Sequence, residues 1–93
     1  MTPLLAASRF GYHDVVLFLL VHNADVNSKM QGNWTALHFA SRCGHFDIVK
    51  AFLQRGANVH ARNGDGLTPR QLASRVDKRE VVQLLSEYGA HGT

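Results

Sequence analysis

The side chains in this sequence best suited to chemistry are six histidines and one cysteine. His38, Cys43 and His45 are close along the chain, and the other histidines are scattered at His13, His22, His60 and His91. A structural zinc site needs about four converging ligands, usually in closely spaced pairs. The scattered positions do not give that pattern. We therefore expect no metal site.

Cys43 and His45 also invite comparison with a catalytic thiol and its base. A helix end and a turn are expected between them, which sends their side chains in different directions, and no orienting carboxylate is apparent. No glycine-rich phosphate loop followed by lysine is present, because Gly64, Asp65 and Gly66 have the composition of a hairpin turn. We predict no catalytic residue, no cofactor and no enzyme activity.

The acidic residues that could pair in acid–base catalysis are instead 33 positions apart, at Asp14, Asp47 and Glu80. The same interval relates three Thr-containing starts, beginning at Thr2, Thr35 and Thr68, and three Ala-Ser-Arg triplets that end at Arg9, Arg42 and Arg75. Such a period is typical of stacked-repeat proteins, in which each unit buries its apolar face against the next. The expected function is recognition by an extended surface.

Composition sets further bounds. The chain has 93 residues, enough for about one small domain, and a formal net charge of +3. This mild excess favours acidic partners without requiring nucleic acid, since no block of like charges occurs. The longest apolar run, Val15 to Val21, has seven residues, well short of the ~18 that span a bilayer. No signal peptide is visible, and a single cysteine fits a reducing compartment, so we expect a cytoplasmic or nuclear location without membrane association.

Each repeat is predicted to contain two antiparallel helices. The threonine hydroxyls can cap the first helix, and Pro3 and Pro69 suit its first position. Gly11, Gly44 and Asp77 are expected to end the first helices at about residues 10, 43 and 76. The second helices begin near the acids described above, which favour a helix N-terminus. In the middle repeat the second helix carries an apolar stripe that is expected to face the core: Ile48, Val49, Phe52 and Leu53.

The second helices are expected to end at Asn23, Gly56 and Gly89, which tolerate positive φ. The segments 23–34 and 56–67 carry turn residues and no helical period. We predict that they form hairpin loops projecting from the stack.

These residues resemble the ankyrin repeat family, whose consensus starts Thr-Pro-Leu-His-x-Ala-Ala and ends Gly-Ala-Asp-Val-Asn. The segment 35–41 reads TALHFAS, and the segments 23–27 and 56–59 read NADVN and GANV. The resemblance covers essentially the whole chain. It implies an all-α ankyrin-repeat solenoid of helix–turn–helix units joined by projecting β-hairpin loops. The repeats would span approximately 2–34, 35–67 and 68–93, as a single domain that is part of a longer protein or array.

In this family partners usually bind the concave side, formed by the loop tips and the exposed face of the first helices. The resemblance also gives His38 a structural role, bridging backbone and a neighbouring loop. Carried over by repeat position, the partner-binding candidates are Arg9, Phe10, Tyr12, Lys29, Trp34, Arg42, Cys43, His45, Arg62, Leu67, Arg75 and Lys78.

Arginine is present at the same position of all three repeats, at Arg9, Arg42 and Arg75. Helices that pack about 8–10 Å apart would place these residues in a ladder roughly 20 Å long. The expected partner is therefore a protein with an acidic or acidic-aromatic segment. Two alternatives stay open: an anionic nucleic-acid or nucleotide ligand held by arginine contacts and stacking, and a spacer within a longer array that binds nothing itself.

The outer repeats depart from the pattern in opposite ways. The last repeat has Arg70, Asp77 and Ser86 where the others have leucine or glycine, which suits a terminal repeat that meets water. The first repeat has Leu5 and Leu17 where the others have polar residues. We expect the 17–20 side to lack a cap, so that further repeats or another element precede it in the parent protein, or this side self-associates.

One modification is also suggested by the resemblance. The segment from Leu20 to Asn27 is similar to ankyrin segments in which an oxygen-dependent hydroxylase modifies the loop asparagine. Asn27 is therefore a candidate hydroxylation site, and the alternative is a purely structural, hydrogen-bonded asparagine.

Overall fold

Three helix pairs stack side by side in the computed structural model, which describes residues 3–89. The first pair is α1 (Pro3–Phe10) and α2 (His13–Val21). The second is α3 (Ala36–Cys43) and α4 (Phe46–Gln54), and the third is α5 (Pro69–Arg75) and α6 (Arg79–Glu87). The first helices pack in the order α1, α3, α5, and the second helices in the order α2, α4, α6. The expected all-α stack is confirmed.

Reciprocal hydrogen bonds fix the start of the first helix in the second and third repeats. Thr35 Oγ1 accepts from the backbone N–H of His38, while the His38 ring accepts from the N–H of Thr35. Thr68 and Gln71 make the same exchange, and Pro69 follows the cap. Both pairs are capping boxes, which satisfy two backbone donors left free at a helix start. Thr2, the predicted cap of the first repeat, lies outside the described residues.

A left-handed residue reverses the chain between the two helices of every repeat. Gly11 and Gly44 have φ values of +77° and +76°, and Asp77 has +60°. In each repeat the next residue donates its N–H to a carbonyl five positions earlier, such as Tyr12 to Ala7 at 3.0 Å. This is a helix C-terminal motif that only a residue tolerating positive φ can close. The predicted ends at Asn23, Gly56 and Gly89 also have positive φ.

The core lies between the repeats and is built from repeat-equivalent residues. Ala7, Ala40 and Ala73 are buried where the first helices approach one another, since a methyl side chain allows close packing. The predicted stripe of α4 is buried along its whole length. Leu5, which occupies the position of His38, is also buried, so it does not belong to the exposed side expected for the first repeat.

The linking segments contain turns and little β structure. Within residues 3–89 the only strand-type pairing is an isolated antiparallel bridge between Lys29 and Thr35. A short 3-10 turn, Gln31–Asn33, forms the tip of the first loop. The two tips are joined directly, because the N–H of Gly64 donates to the carbonyl of Gly32 at 2.6 Å.

The third repeat has polar residues at positions where the other repeats have leucine or glycine, and these residues interact with each other or with neighbouring side chains. Arg70 Nε donates to Ser86 Oγ at 3.0 Å, so one hydrogen bond joins α5 to α6 where the other repeats have leucines. Asp77 pairs with Arg79 at 3.0 Å. Both partners of that ion pair are largely exposed, so it contributes little to stability.

The turn of the first repeat is also a packing surface for the second. A Cβ atom added at Gly11 would lie 2.7 Å from His45 Cε1, whereas one added at Gly56 would meet nothing within 4 Å. Both glycines have positive φ, so alanine at either site should lose about 1–2 kcal/mol from backbone strain. We expect Gly11→Ala to lower the free energy of unfolding by about 1 kcal/mol more than Gly56→Ala, because the His45 ring must also move. Urea denaturation of the two variants measures this difference, and equal losses would contradict the packing role of His45.

Candidate protein-binding surface

The predicted arginine positions are exposed in the last turn of each first helix. Arg9 lies on α1, Arg42 on α3 and Arg75 on α5, and these helices pack next to one another. Within residues 3–89 the one ion pair joins Arg79 to Asp77. The three arginines therefore have no carboxylate partner in the described part of the chain, and their charges are available to a ligand.

Two of these arginines contact aromatic rings. The Arg9 guanidinium carbon lies 5.4 Å from the centre of the Phe10 ring, and that of Arg42 lies 5.8 Å from the centre of the Trp34 ring. Such cation–π contacts hold a guanidinium over the ring while leaving its N–H groups free to donate. Each pair thus presents positive charge and apolar surface together.

Trp34 is half-buried because its ring packs against α3, the first helix of the second repeat. The ring centre lies 4.9 Å from that of Phe39 and 5.8 Å from that of His38. Sequence reasoning did not identify Phe39 as the support of Trp34. Trp34 precedes the cap residue Thr35, and Phe39 lies five positions further along, on α3. The two rings come into contact because of the backbone conformation at the cap, which the spacing alone does not reveal.

The turn residues Tyr12, His45 and Lys78 differ in how freely they can contact a partner. The Tyr12 ring is exposed and lies 6.2 Å from that of Phe10. His45 is half-buried, and its Nε2 lies 3.3 Å from the carbonyl oxygen of Arg9. Lys78 is exposed, and its aliphatic stem lies over Gly44. Of the three, His45 is the most engaged in joining repeats.

The remaining candidates also differ in how freely they can contact a partner. Lys29 is exposed, and Arg62 is exposed while donating to the Gly66 carbonyl at 3.1 Å. Leu67 is half-buried and its carbonyl accepts from His38 Nε2 at 2.9 Å. Cys43, which is the last residue of α3 rather than a loop residue, is an exposed free thiol. Leu67 therefore has a structural role through its backbone, and the others can face a ligand.

Metal-ligating side chains are dispersed. Among residues 3–89 no three His, Cys, Asp or Glu side chains are grouped as a metal site would require. In the same range, none of the helices combines the length and apolar character needed to span a membrane.

Asn27 links neighbouring loops. Its Oδ1 accepts from the backbone N–H of Asn58 at 2.8 Å, and its own N–H donates to Asp25 at 2.9 Å. The residue is exposed nonetheless. The structural role of its side chain is evident, and hydroxylation of Asn27 stays a prediction.

His38 is the titratable group most affected by the fold. Its Nε2 faces the Leu67 carbonyl, which only accepts, so Nε2 carries the proton and Nδ1 accepts from Thr35. Burial lowers the pKa of His38 below its ordinary 6.5, and the nearby charge of Lys29 acts in the same direction. Backbone hydrogen bonds oppose the shift without reversing it. The ring is therefore mainly neutral at pH 7 in the folded protein, as its bridging role requires.

This arrangement defines a class of protein. It is a stack of helical repeats with an open surface, on which arginine side chains lie beside aromatic rings. The family model of ankyrin repeats (3 copies) matches residues 4–93. The chain therefore belongs to the ankyrin repeat family, which generally mediates protein–protein interaction and is generally not catalytic. Comparison with curated proteins found no match.

The lowered pKa of His38 predicts a pH-dependent stability. Below about pH 6.5 the unfolded chain binds a proton that the folded chain binds less readily, so the free energy of unfolding should fall as the pH drops through this range. His38→Gln should reduce this pH dependence while keeping the capping box, because Gln71 already makes the same box in the third repeat. The loss of the bond to Leu67 should cost about 1 kcal/mol at pH 7. Urea denaturation of the parent protein and of the variant, at pH 7.5 and at about pH 5, measures this difference. An unchanged pH dependence in the variant would contradict the assignment of the effect to His38.

Proposed function

We propose that this chain is a non-catalytic recognition module that binds a protein partner through an acidic or acidic-aromatic segment on its concave side. The module would comprise one domain of three repeats, about 2–34, 35–67 and 68–93, acting in the cytoplasm or nucleus without a cofactor. The observation that carries the proposal is the row of exposed arginines at equivalent helix positions, none of them neutralised by a carboxylate within residues 3–89.

The spacing of the arginines suits an extended acidic segment. Neighbouring helices in a packed stack are about 8–10 Å apart, and an extended peptide advances about 3.3 Å per residue. An acid at every third residue would therefore meet successive arginines. Arginine binds carboxylates through two parallel N–H donors, which lysine cannot reproduce.

The aromatic side chains would supply the apolar part of the binding energy. Phe10 and Tyr12 are exposed beside Arg9, and Trp34 lies beneath Arg42. Tryptophan, tyrosine and arginine are the residue types that most often dominate binding energy at interfaces. A partner aromatic ring beside the acids would pack on this surface.

The surface is largely formed before binding. The loop tips are tied by the Gly64–Gly32 hydrogen bond, and Trp34 already packs on Phe39. Little conformational entropy would then be lost by this chain when a partner binds.

Charge reversal at Arg42 tests the proposal. A peptide with glutamate at every third position and one tyrosine serves as the probe, and the fluorescence of Trp34, the single tryptophan, reports binding. We expect Arg42→Glu to weaken binding about ten- to hundredfold, because a charge-assisted hydrogen bond is replaced by repulsion. The salt dependence of binding should fall as well.

Lys50→Glu is the matched control, since Lys50 is exposed on α4, away from the first helices. It introduces the same acidic side chain and should leave affinity within about threefold of the parent protein, as expected of a distant surface charge. Equal loss in both variants, or no loss at Arg42, would remove the arginine row from the mechanism. Tight binding of single-stranded nucleic acid at ~0.15 M salt, with none of the peptide, would favour the nucleic-acid alternative instead.

A further inference from the structure

The helix α2 differs from its counterparts α4 and α6 on the side that faces away from the stack. In α4 the two positions on this side are Lys50 and Gln54, and in α6 they are Gln83 and Glu87, all exposed. The equivalent positions of α2 are Leu17 and Val21, which are 40% and 63% exposed. Apolar side chains thus occupy positions that the other two repeats leave polar.

A second pair of apolar residues on α2 faces the end of the stack. Val15 and Phe18 are 45% and 62% exposed. Their equivalents are Ile48 and Ala51 in α4 and Val81 and Leu84 in α6, all buried in the core. The second helices pack on one another in the order α2, α4, α6. A further helix packed beside α2 would therefore be needed to bury Val15 and Phe18.

An additional repeat of the same kind would cover only part of this surface. In the second and third repeats, stacking buries the positions of Val15 and Phe18 but leaves those of Leu17 and Val21 exposed. With about 100° of rotation per residue, the four apolar side chains of α2 span an arc of roughly 160°. A helix laid along α2 itself would cover all four.

Polar side chains at the two ends of α2 indicate which helix fits. Asp14 lies in the first turn, and His22 follows the last residue with its ring 4.4 Å from that of Phe18. These two residues are eight positions apart, about 12 Å along a helix, too far to meet within one chain. A second α2 running antiparallel and centred at Phe18 would place each Asp14 opposite a His22, whose ring can donate N–H in either protonation state.

We propose that two copies of this chain associate through their α2 helices, packed antiparallel about a two-fold axis at Phe18, with Asp14 of each copy facing His22 of the other. Such an interface is isologous, because the same patch serves both copies. The helix dipoles also oppose one another favourably. A nine-residue helix offers a small patch, so the dimer is weak and depends on concentration. The arginine row lies on the first helices and stays free.

Light scattering and sedimentation equilibrium over about a hundredfold range of concentration test the proposal. The mass should rise from 10.3 kDa towards twice that value. The variant L17K/V21Q, which introduces the side chains of Lys50 and Gln54, should raise the dimer dissociation constant at least about tenfold with unchanged helix content. Tyr88→Gln, which removes an exposed aromatic ring at the far end of the stack, should leave the dimer unchanged.

Mixing two single variants tests the antiparallel pairing. Asp14→Lys and His22→Glu should each weaken self-association, because each places like charges or unmatched groups opposite one another. An equal mixture should associate again, since the lysine introduced in one variant then faces the glutamate introduced in the other, and the remaining Asp14 and His22 still face each other. A monomer at every concentration, a dimer indifferent to L17K/V21Q, or a mixture no better than its components would overturn the proposal.

Discussion

Every helix pair of this protein is closed by one residue in the left-handed backbone conformation, and the rest of the structure depends on that reversal. Gly11, Gly44 and Asp77 occupy it in turn. The turn sets the two helices antiparallel, and in the first two repeats it also receives a side chain of the next repeat. Glycine is favoured at Gly11 and Gly44 for both reasons, since a Cβ atom there would be strained by the backbone and would have to displace the side chain of His45 or Lys78.

The helix pairs and their buried positions could be predicted from the sequence because they repeat. The 33-residue interval identifies caps, turns and apolar stripes together. The contacts between individual side chains could not be predicted in the same way. The Arg70–Ser86 bond and the packing of Trp34 on Phe39 depend on side-chain rotamers, and spacing fixes only which positions are adjacent.

The sequence predicts the candidate site as a set of positions rather than as an arrangement. It places three arginines at equivalent helix positions. The structure shows that two of them lie over aromatic rings, and that these rings come from different parts of the repeat. Phe10 follows Arg9 on the same helix, while Trp34 precedes the helix that carries Arg42. His45 contacts the Arg9 carbonyl of the first repeat, and the Leu67 carbonyl is occupied by His38 of its own repeat. Equivalent positions in a repeat protein therefore need not have equivalent surroundings.

The hydrogen bond between the two loop tips involves only backbone atoms, from Gly64 N–H to the Gly32 carbonyl. Both residues are constrained, because Gly32 has a φ of +81° and a Cβ atom at Gly64 would lie 3.2 Å from the Gly32 carbonyl oxygen. The spacing of the tips is therefore independent of the side chains displayed beside them. Neighbouring loop residues can be exchanged to graft a new specificity while the scaffold keeps its pitch.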